Sequence, residues 1–337
     1  MSRLSDLWYA DPARLAPLAP LGWLFEACLR VRRSAYRHGW LESHRVARPV
    51  IIVGNLTVGG TGKTPLTLWL CNELSRAGLR PGILSRGYGR RTRGVRLVGV
   101  DSSWREVGDE PLLLARRSGC PTVVAAARVA GARELIARGA EVIVCDDGLQ
   151  HLSLARDLEI VVVDGARGLG NRRLLPAGPL REPPARLSGA GLVVVNGAPL
   201  HPSLHEVRAL RMDVRGSHAL PVSGEAPPRE LGVFRGAPLH AVAGMGNPAR
   251  FFAMLRAAGL ELVEHAFPDH HALLPADLAF GDDRPVLMTE KDAVKCTGFA
   301  DARLWFVPVT AHFSAADAAC LSQRVRQAAR AGHPAGS

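Results

Sequence analysis

The chain has 337 residues, 47% of them hydrophobic and 22% charged, and carries a formal net charge of +11. That composition excludes a largely disordered chain, and the length suits one large or two medium domains. The charge is uneven: residues 1–100 hold 16 basic and 5 acidic side chains, already +11, while the rest hold 26 of each. A one-sided basic field attracts phosphates, anionic membranes or nucleic acid. Only three of the basic residues are lysines, namely Lys63, Lys291 and Lys295. The six cysteines lie far apart with no CxxC pair, and Cys71 and Cys145 fall in apolar runs. This is the pattern of reduced thiols, not of a disulfide framework or a zinc site.

In chain order, the first 40 residues lack the arrangement of a signal peptide, and no segment reaches the roughly 18 apolar residues of a membrane span. An apolar stretch, Leu15 to Phe25, leads into an expected helix, Leu21 to Tyr36, with Leu21, Leu24, Phe25, Cys28 and Leu29 at helical spacing. Arg30, Arg32, Arg33 and Arg37 follow, with Trp8, Trp23 and Trp40 nearby. Such a segment suits a helix lying in a membrane interface. The same spacing also suits an ordinary surface helix packed on the domain behind it.

From Arg48 onward, strands alternate with helices. Strands are expected at Pro49 to Val53, Pro81 to Leu84, Thr122 to Ala125, Glu141 to Cys145, Glu159 to Val163 and Gly191 to Val195. Helices are expected at Lys63 to Arg76, Glu110 to Ser118 and Val129 to Arg138. The order implies a parallel sheet covered on both faces. A basic insertion, Gly87 to Val107, alternates around Val95, Leu97 and Val100 as a hairpin would. Pro221 to Pro238 reads as a linker, after which the pattern restarts at His240 to Ala243, Pro248 to Ala258, Pro285 to Met288 and Leu304 to Val307.

The strongest motif lies between the first strand and its helix: Thr57, Val58, Gly59, Gly60, Thr61, Gly62, Lys63 and Thr64. Glycines there let backbone N–H groups turn toward phosphate oxygens, and the helix N-terminus adds partial positive charge. Lys63 would reach the β- and γ-phosphates and Thr64 a Mg²⁺ ion. Thr57 stands where this motif usually has glycine. The strand ending in Asp146 and Asp147 supplies carboxylates at the position that binds that metal, or simply opens a turn.

Asp109 and Glu110, in Gly-Asp-Glu-Pro, read either as a helix start or as a catalytic carboxylate that deprotonates an alcohol. Spacing alone favours the helix start. Phe267 to His271 sets an acid beside two imidazoles, as a proton relay or a hinge turn, and lacks the further ligands that zinc requires. Thr289 to Asp292 follows a strand, where ligands of open α/β sheets bind.

Taken together, the ordered strings Gly54 to Thr64, Ser85 to Gly89, Gly108 to Pro111, Asp146 to His151, Pro176 to Glu182, Pro268 to His271 and Thr289 to Asp292 resemble the tetraacyldisaccharide 4′-kinases of lipid A synthesis. Leu149 stands where that family usually has phenylalanine. The resemblance implies transfer of the ATP γ-phosphate to the 4′-hydroxyl of a tetraacylated disaccharide 1-phosphate, giving lipid IVA. It implies Mg²⁺ held by Thr64, Asp146 and Asp147, and Asp109 as the base with His270, rather than His271, as its partner. Asn55, Arg86, Glu110, Arg128, Gln150 and His151 are the implied substrate-binding residues.

The expected fold is α/β: a P-loop parallel sheet covered by helices, a second smaller α/β domain and an N-terminal amphipathic helix. The expected divisions are residues 1–47, a membrane-interface segment; 48–220, the kinase domain; and 221–330, a domain closing over the site. The expected setting is the cytoplasmic face of an inner membrane, as a peripheral monomer on an anionic surface, with no nucleic-acid partner. The competing reading is a P-loop GTPase-type switch or metal chaperone. Against it, Asn196 is followed by Gly197 and Ala198, not by a guanine-reading Asn-Lys-x-Asp string.

Overall fold

The computed structural model describes residues 7–9, 12–224 and 226–331; residues 1–6 of the N-terminal segment lie outside them. A short 3-10 turn, Pro12–Leu18, leads into α1 (Ala19–Arg37), which begins two residues earlier than the apolar spacing suggests. Pro20 near its first turn explains the start, because proline lacks only an N–H that the helix would leave free. Phe25 and Leu29 of α1 pack against the core, while Leu21, Trp23 and Leu24 are exposed. Among the described residues no helix is long and apolar enough to cross a membrane.

The first unit is built on β1 (Val50–Gly54), α2 (Lys63–Arg76), β2 (Pro81–Ser85), β3 (Arg96–Leu97), α3 (Trp104–Val107), α4 (Asp109–Ser118), β4 (Thr122–Val124) and α5 (Arg128–Ala137). It continues with β5 (Val142–Asp146), β6 (Leu158–Asp164), β7 (Leu192–Asn196) and β8 (Leu210–Arg215). In β1, Ile51 and Val53 enter one core and Val50 and Ile52 the other. Both faces are thus buried, so a continuous β-branched run is what the strand requires. Strands β4, β2, β5, β1, β6, β7 and β8 lie side by side in parallel, with β1 between β5 and β6. Helices α2 and α4 cover one face and α1 and α5 the other. Cys71 and Cys145 are free, buried thiols.

The second unit has β9 (His218–Pro221), β10 (Arg229–Glu230), β11 (Leu239–Ala243), α6 (Pro248–Ala257), β12 (Leu262–Ala266), β13 (Val286–Thr289), α7 (Glu290–Ala293) and β14 (Leu304–Val307). Its six-stranded sheet runs β10-β9-β14-β13-β11-β12, parallel except for the antiparallel pairs made by β9. The chain then returns. Strand β15 (Thr310–Phe313) pairs antiparallel with β8 on the edge of the first sheet. Helix α8 (Ala315–Ala331) buries Leu321, Val325, Ala328 and Ala329 in the first unit's core.

Three sequence expectations are corrected. The second unit does not run through to residue 330, because β15 and α8 belong to the first. The stretch Pro221 to Pro238 is not only a linker: β10 lies within it, and β9 ends at its first residue. The insertion after Gly87 forms no hairpin of its own; β3 is two residues long and pairs with β4, because its alternation of valine and leucine meets that edge rather than a second local strand.

Candidate active site

The site forms where the C-terminal edges of the two sheets meet, which is where open α/β sheets bind ligands. The P-loop turns between β1 and α2 on two left-handed glycines, Gly59 at φ 105° and Gly62 at φ 100°, a region that side chains with a Cβ avoid. Val58 N–H donates to the Pro179 carbonyl at 2.8 Å, docking the 176–182 segment on the loop. Asn55 is buried inside the turn, and its Nδ2 donates to the carbonyls of Thr57 at 2.7 Å and Gly59 at 3.2 Å. Lys63 Nζ donates to Asn55 Oδ1 at 3.2 Å and lies 3.8 Å from Asp147. Thr64 is half-buried in the first turn of α2.

Strand register places Asp146 level with Val53, beside the loop. Burial pushes its carboxyl well up, reinforced by the neighbouring Glu110 and Asp147 charges and only partly offset by Lys63. Asp147, at φ 52°, is gripped by the Arg181 guanidinium at 2.8 and 3.1 Å. Burial opposes its ionisation, yet Lys63 and Arg181 together hold its carboxyl far below the usual range. Its carboxylate is therefore already matched by two cations, whereas that of Asp146 is not.

This donor set fits a magnesium ion bound mainly through phosphates. One surplus buried carboxylate and a threonine hydroxyl are what such an ion takes from a protein, the remaining ligands being phosphate and water. Among the described residues no cluster of acids, histidines or cysteines could cage a metal without a ligand.

Asp109 occupies the first position of α4, after Gly108 at φ 95°. The spacing favoured a capping role, and part of it is present: Gly108 takes the cap position, but Asp109 Oδ1 accepts from the free Glu110 N–H at 2.9 Å, while the same carboxylate also faces His270 across the cleft. His270 Nδ1 lies 3.0 and 3.1 Å from its two oxygens. Burial pushes the Asp109 carboxyl up, but the His270 hydrogen bond and the Lys291 charge outweigh it and hold the group at about 2. Burial pulls the His270 imidazole down, and its bond to Asp109 more than restores it, above the ordinary 6.5.

Tyr88 lies with its ring 4.9 Å from the His270 ring. Lys291 Nζ spans the units, 3.0 Å from Glu110 and 2.8 Å from Asp269. His271 turns away, bonded to Asp277 at 3.1 Å and stacked on Phe267.

The expected substrate residues gather on the same rim. Arg86 is exposed beyond β2, and Gln150 Nε2 donates to the Asn55 carbonyl at 3.4 Å. Arg128 is 1% exposed; Nη1 bonds the carbonyls of Ser85 and Ala125, while its Nε and Nη2 are buried without a partner. Burial and the Arg128 and Arg86 charges push the His151 imidazole down to about 4. A buried guanidinium with two idle donors has the chemistry to hold an anion, and its charge already acts on Asp147.

Sequence reasoning named the strings holding Arg181, Tyr88 and Lys291 without giving these residues roles. It gave no role to Asp164, Asn247 or Arg250, and weighed Asn196 only as the start of a guanine-reading string. Asp164 and Asn196 end β6 and β7, so their position at strand termini was the available signal.

A P-loop on a parallel sheet, a surplus metal-type carboxylate, and an aspartate of the first unit paired with a histidine from the second define a P-loop kinase. The model of the family described as tetraacyldisaccharide-1-P 4′-kinase matches residues 14–328. The tetraacyldisaccharide 4′-kinase of Alkalilimnicola ehrlichii is 52% identical over 316 residues, 92% of this chain and 93% of that protein. That of Xanthomonas euvesicatoria pv. vesicatoria is 46% identical over 97% of each. A crystal structure of LpxK from Aquifex aeolicus in complex with ATP superposes with a TM-score of 0.77 at 28% identity, covering 94% of this chain and 99% of that one. The chain belongs to the tetraacyldisaccharide-1-P 4′-kinase family and is a phosphotransferase of lipid A biosynthesis.

Proposed function

We propose that the chain transfers the γ-phosphate of ATP to the 4′-hydroxyl of a tetraacylated disaccharide 1-phosphate, with Asp109 as the proton acceptor and His270 as its partner. The observation that carries the assignment is the Asp109–His270 contact across the cleft, beside the P-loop. In the reaction the 4′-oxygen bonds the γ-phosphorus, the bond to the β-phosphate oxygen breaks, ADP leaves, and the hydroxyl proton passes to the carboxylate. A carboxylate held at about 2 is a weak base, but a loose transition state asks little of it. The hydroxyl is oriented first and loses its proton late, once bonding to phosphorus has made it acidic.

In a neutral His270 ring, with Nδ1–H donating to Asp109, Nε2 is left to accept from Lys291 at 3.4 Å. The ring thereby fixes the carboxylate's orientation. Lys63 stabilises charge on the β- and γ-phosphate oxygens. Thr64 and Asp146 would hold Mg²⁺, which would supply charge neutralisation there; Asp147 orients Lys63 and Arg181 instead. Arg128 and Arg86 supply an anion site for substrate, with Glu110, Gln150 and His151 on the same rim.

The exposed Leu21, Trp23, Leu24 and Val31 of α1 support peripheral docking on an anionic bilayer at the cytoplasmic face of an inner membrane. A four-chain lipid leaves a bilayer only at a cost of about 0.8 kcal/mol per buried CH₂, so the enzyme must approach it. The test is to incubate the protein with labelled ATP, Mg²⁺ and the disaccharide lipid in detergent micelles. Label on the lipid at the 4′ position is expected; ATP binding without lipid labelling would sink the reading.

A further inference from the structure

The two units also meet away from the catalytic pair, on the far side of the P-loop. Asp164, 2% exposed at the end of β6, accepts hydrogen bonds from the backbone N–H groups of Ala166 and Arg167, both at 3.0 Å. From the second unit, Asn247 Nδ2 donates to Asp164 at 3.0 Å, and Arg250 pairs with it at 2.9 Å. Arg250 Nη2 donates as well to the Asn196 carbonyl at 3.0 Å. The Asn196 side chain then reaches the P-loop itself: its Nδ2 donates to the Thr61 carbonyl at 2.9 Å, wholly buried. A Cβ at Gly62 would come within 2.3 Å of that nitrogen, so the contact requires glycine there.

The other end of the glycine run is held too. Arg167 Nη1 donates to the Gly246 carbonyl at 2.8 Å. A Cβ at Gly246 would lie 2.5 Å from Gly59 Cα. The second unit therefore rests directly on Gly59 and, through Arg250 and Asn196, indirectly on Thr61.

We propose that Asp164, Asn196 and Arg250 are positioning residues that make the phosphate-binding shape of the P-loop depend on the seating of the second unit. Two physical arguments carry this. The carbonyl and N–H of one trans peptide point in opposite directions. Anchoring the Thr61 carbonyl on Asn196 therefore aims the Gly62 N–H the other way, into the concave side where phosphate oxygens are cradled. Charge supplies the second argument. A buried Asp164 carboxylate beside a triphosphate site repels the ligand, and Arg250 neutralises it from the opposite unit.

The experiment measures binding of a fluorescent ATP analogue in the absence of lipid, together with steady-state KM values for ATP and for the lipid, so its outcome is independent of lipid chemistry. Arg250→Ala and Asn196→Leu are each expected to weaken ATP binding about tenfold, the scale of one lost hydrogen bond to a buried group. KM for ATP rises accordingly while KM for the lipid does not. Arg250→Lys restores the charge and recovers part of the loss. Binding within about twofold of wild type in variants of unchanged melting temperature overturns the proposal, as does an equal rise in both KM values. Where Arg250→Ala does not fold, Asn196→Leu, which keeps the side chain's shape within one unit, carries the same test.

Discussion

His270 Nδ1 lies 3.0 and 3.1 Å from the two carboxylate oxygens of Asp109, across 161 residues of sequence and between two separate sheets. The helix start uses the Asp109 carboxylate only to accept the Glu110 N–H at 2.9 Å and does not require the contact with His270. Asp109→Ala is therefore expected to lower turnover at least about a hundredfold, the scale of general-base catalysis, while ATP binding persists. Near-normal turnover with a lowered melting temperature would return Asp109 to a structural role.

The same pair predicts a titration. Burial pulls His270 down and the Asp109 bond lifts it above 6.5, so Asp109→Asn, which removes the charge, should lower the imidazole midpoint read by NMR. The stability linkage follows in sign. A histidine raised in the fold contributes fully below its unfolded value, and the contribution is lost as pH rises through the folded value. The melting-temperature gap between wild type and His270→Ala should thus be wider near about pH 6 than near about pH 9. Asp109 acts at the other end. Its contribution is present above the ordinary 3.8 and lost as pH falls toward about 2. A gap that widens with rising pH would contradict the pairing.

Lys63 bonds Asn55 at 3.2 Å and faces Asp147 at 3.8 Å, which aims its ammonium toward the concave side of the loop. Lys63→Ala should cost at least about a hundredfold in kcat/KM by removing charge stabilisation of the transferring phosphoryl group. Lys63→Arg should not rescue it, because a planar guanidinium is not interchangeable with a compact ammonium. Rescue to within about threefold would mean that charge alone, without placement, suffices.

Much of the first unit was legible because its strands are buried on both faces. Runs such as Val50 to Val53 and Val142 to Cys145 must then be continuous and apolar, and the glycine loop between β1 and α2 punctuates them. Strand β15 was not legible. Thr310 to Phe313 carries only one buried residue, Ala311, and its pairing with β8 lies almost a hundred residues away in sequence. The site followed a similar division. Lys63, Asp109 and the paired aspartates sit in local strings whose residue order carries the chemistry. Asp164 and Arg250 pair only where the two sheets meet, and Asn196 reaches Thr61 from a strand 135 residues away; no local pattern encodes those contacts.

Helix α1 illustrates how the structure changes an experiment. Deleting residues 1–40 would remove an anchor, but it would also remove Arg33, which pairs with buried Glu182, and Arg32, which bonds the Gln150 carbonyl at 3.0 Å. Trp8 is 8% exposed and bonds the Pro176 carbonyl at 3.0 Å. The truncation would thus disturb the rim of the site. Trp23→Ser with Leu24→Ser alters only the exposed face, at 69% and 63% exposure. This pair should weaken binding to vesicles containing anionic lipid while leaving ATP affinity unchanged. Unaltered vesicle binding would count against α1 as the docking face.

Arg128 gives the sharpest separation of stability from function. A guanidinium 1% exposed, with Nε and Nη2 lacking partners, carries a desolvation penalty that the fold alone does not recover; leaving buried donors unmade costs about 1–3 kcal/mol. Replacing such a group by an apolar side chain of similar length is commonly neutral or stabilising. The Ser85 carbonyl keeps a partner, the Ala125 N–H at 3.0 Å, while the buried Ala125 carbonyl loses Arg128 Nη1. With these effects opposed, Arg128→Met should melt close to wild type, although it empties a buried position of its charge. If the idle donors serve an anionic group of the substrate, the same variant should raise KM for the lipid about tenfold or more, the scale of a lost charge-assisted bond. A variant that melts several degrees lower with an unchanged KM would show that Arg128 holds β2 and β4 together and leaves substrate to others.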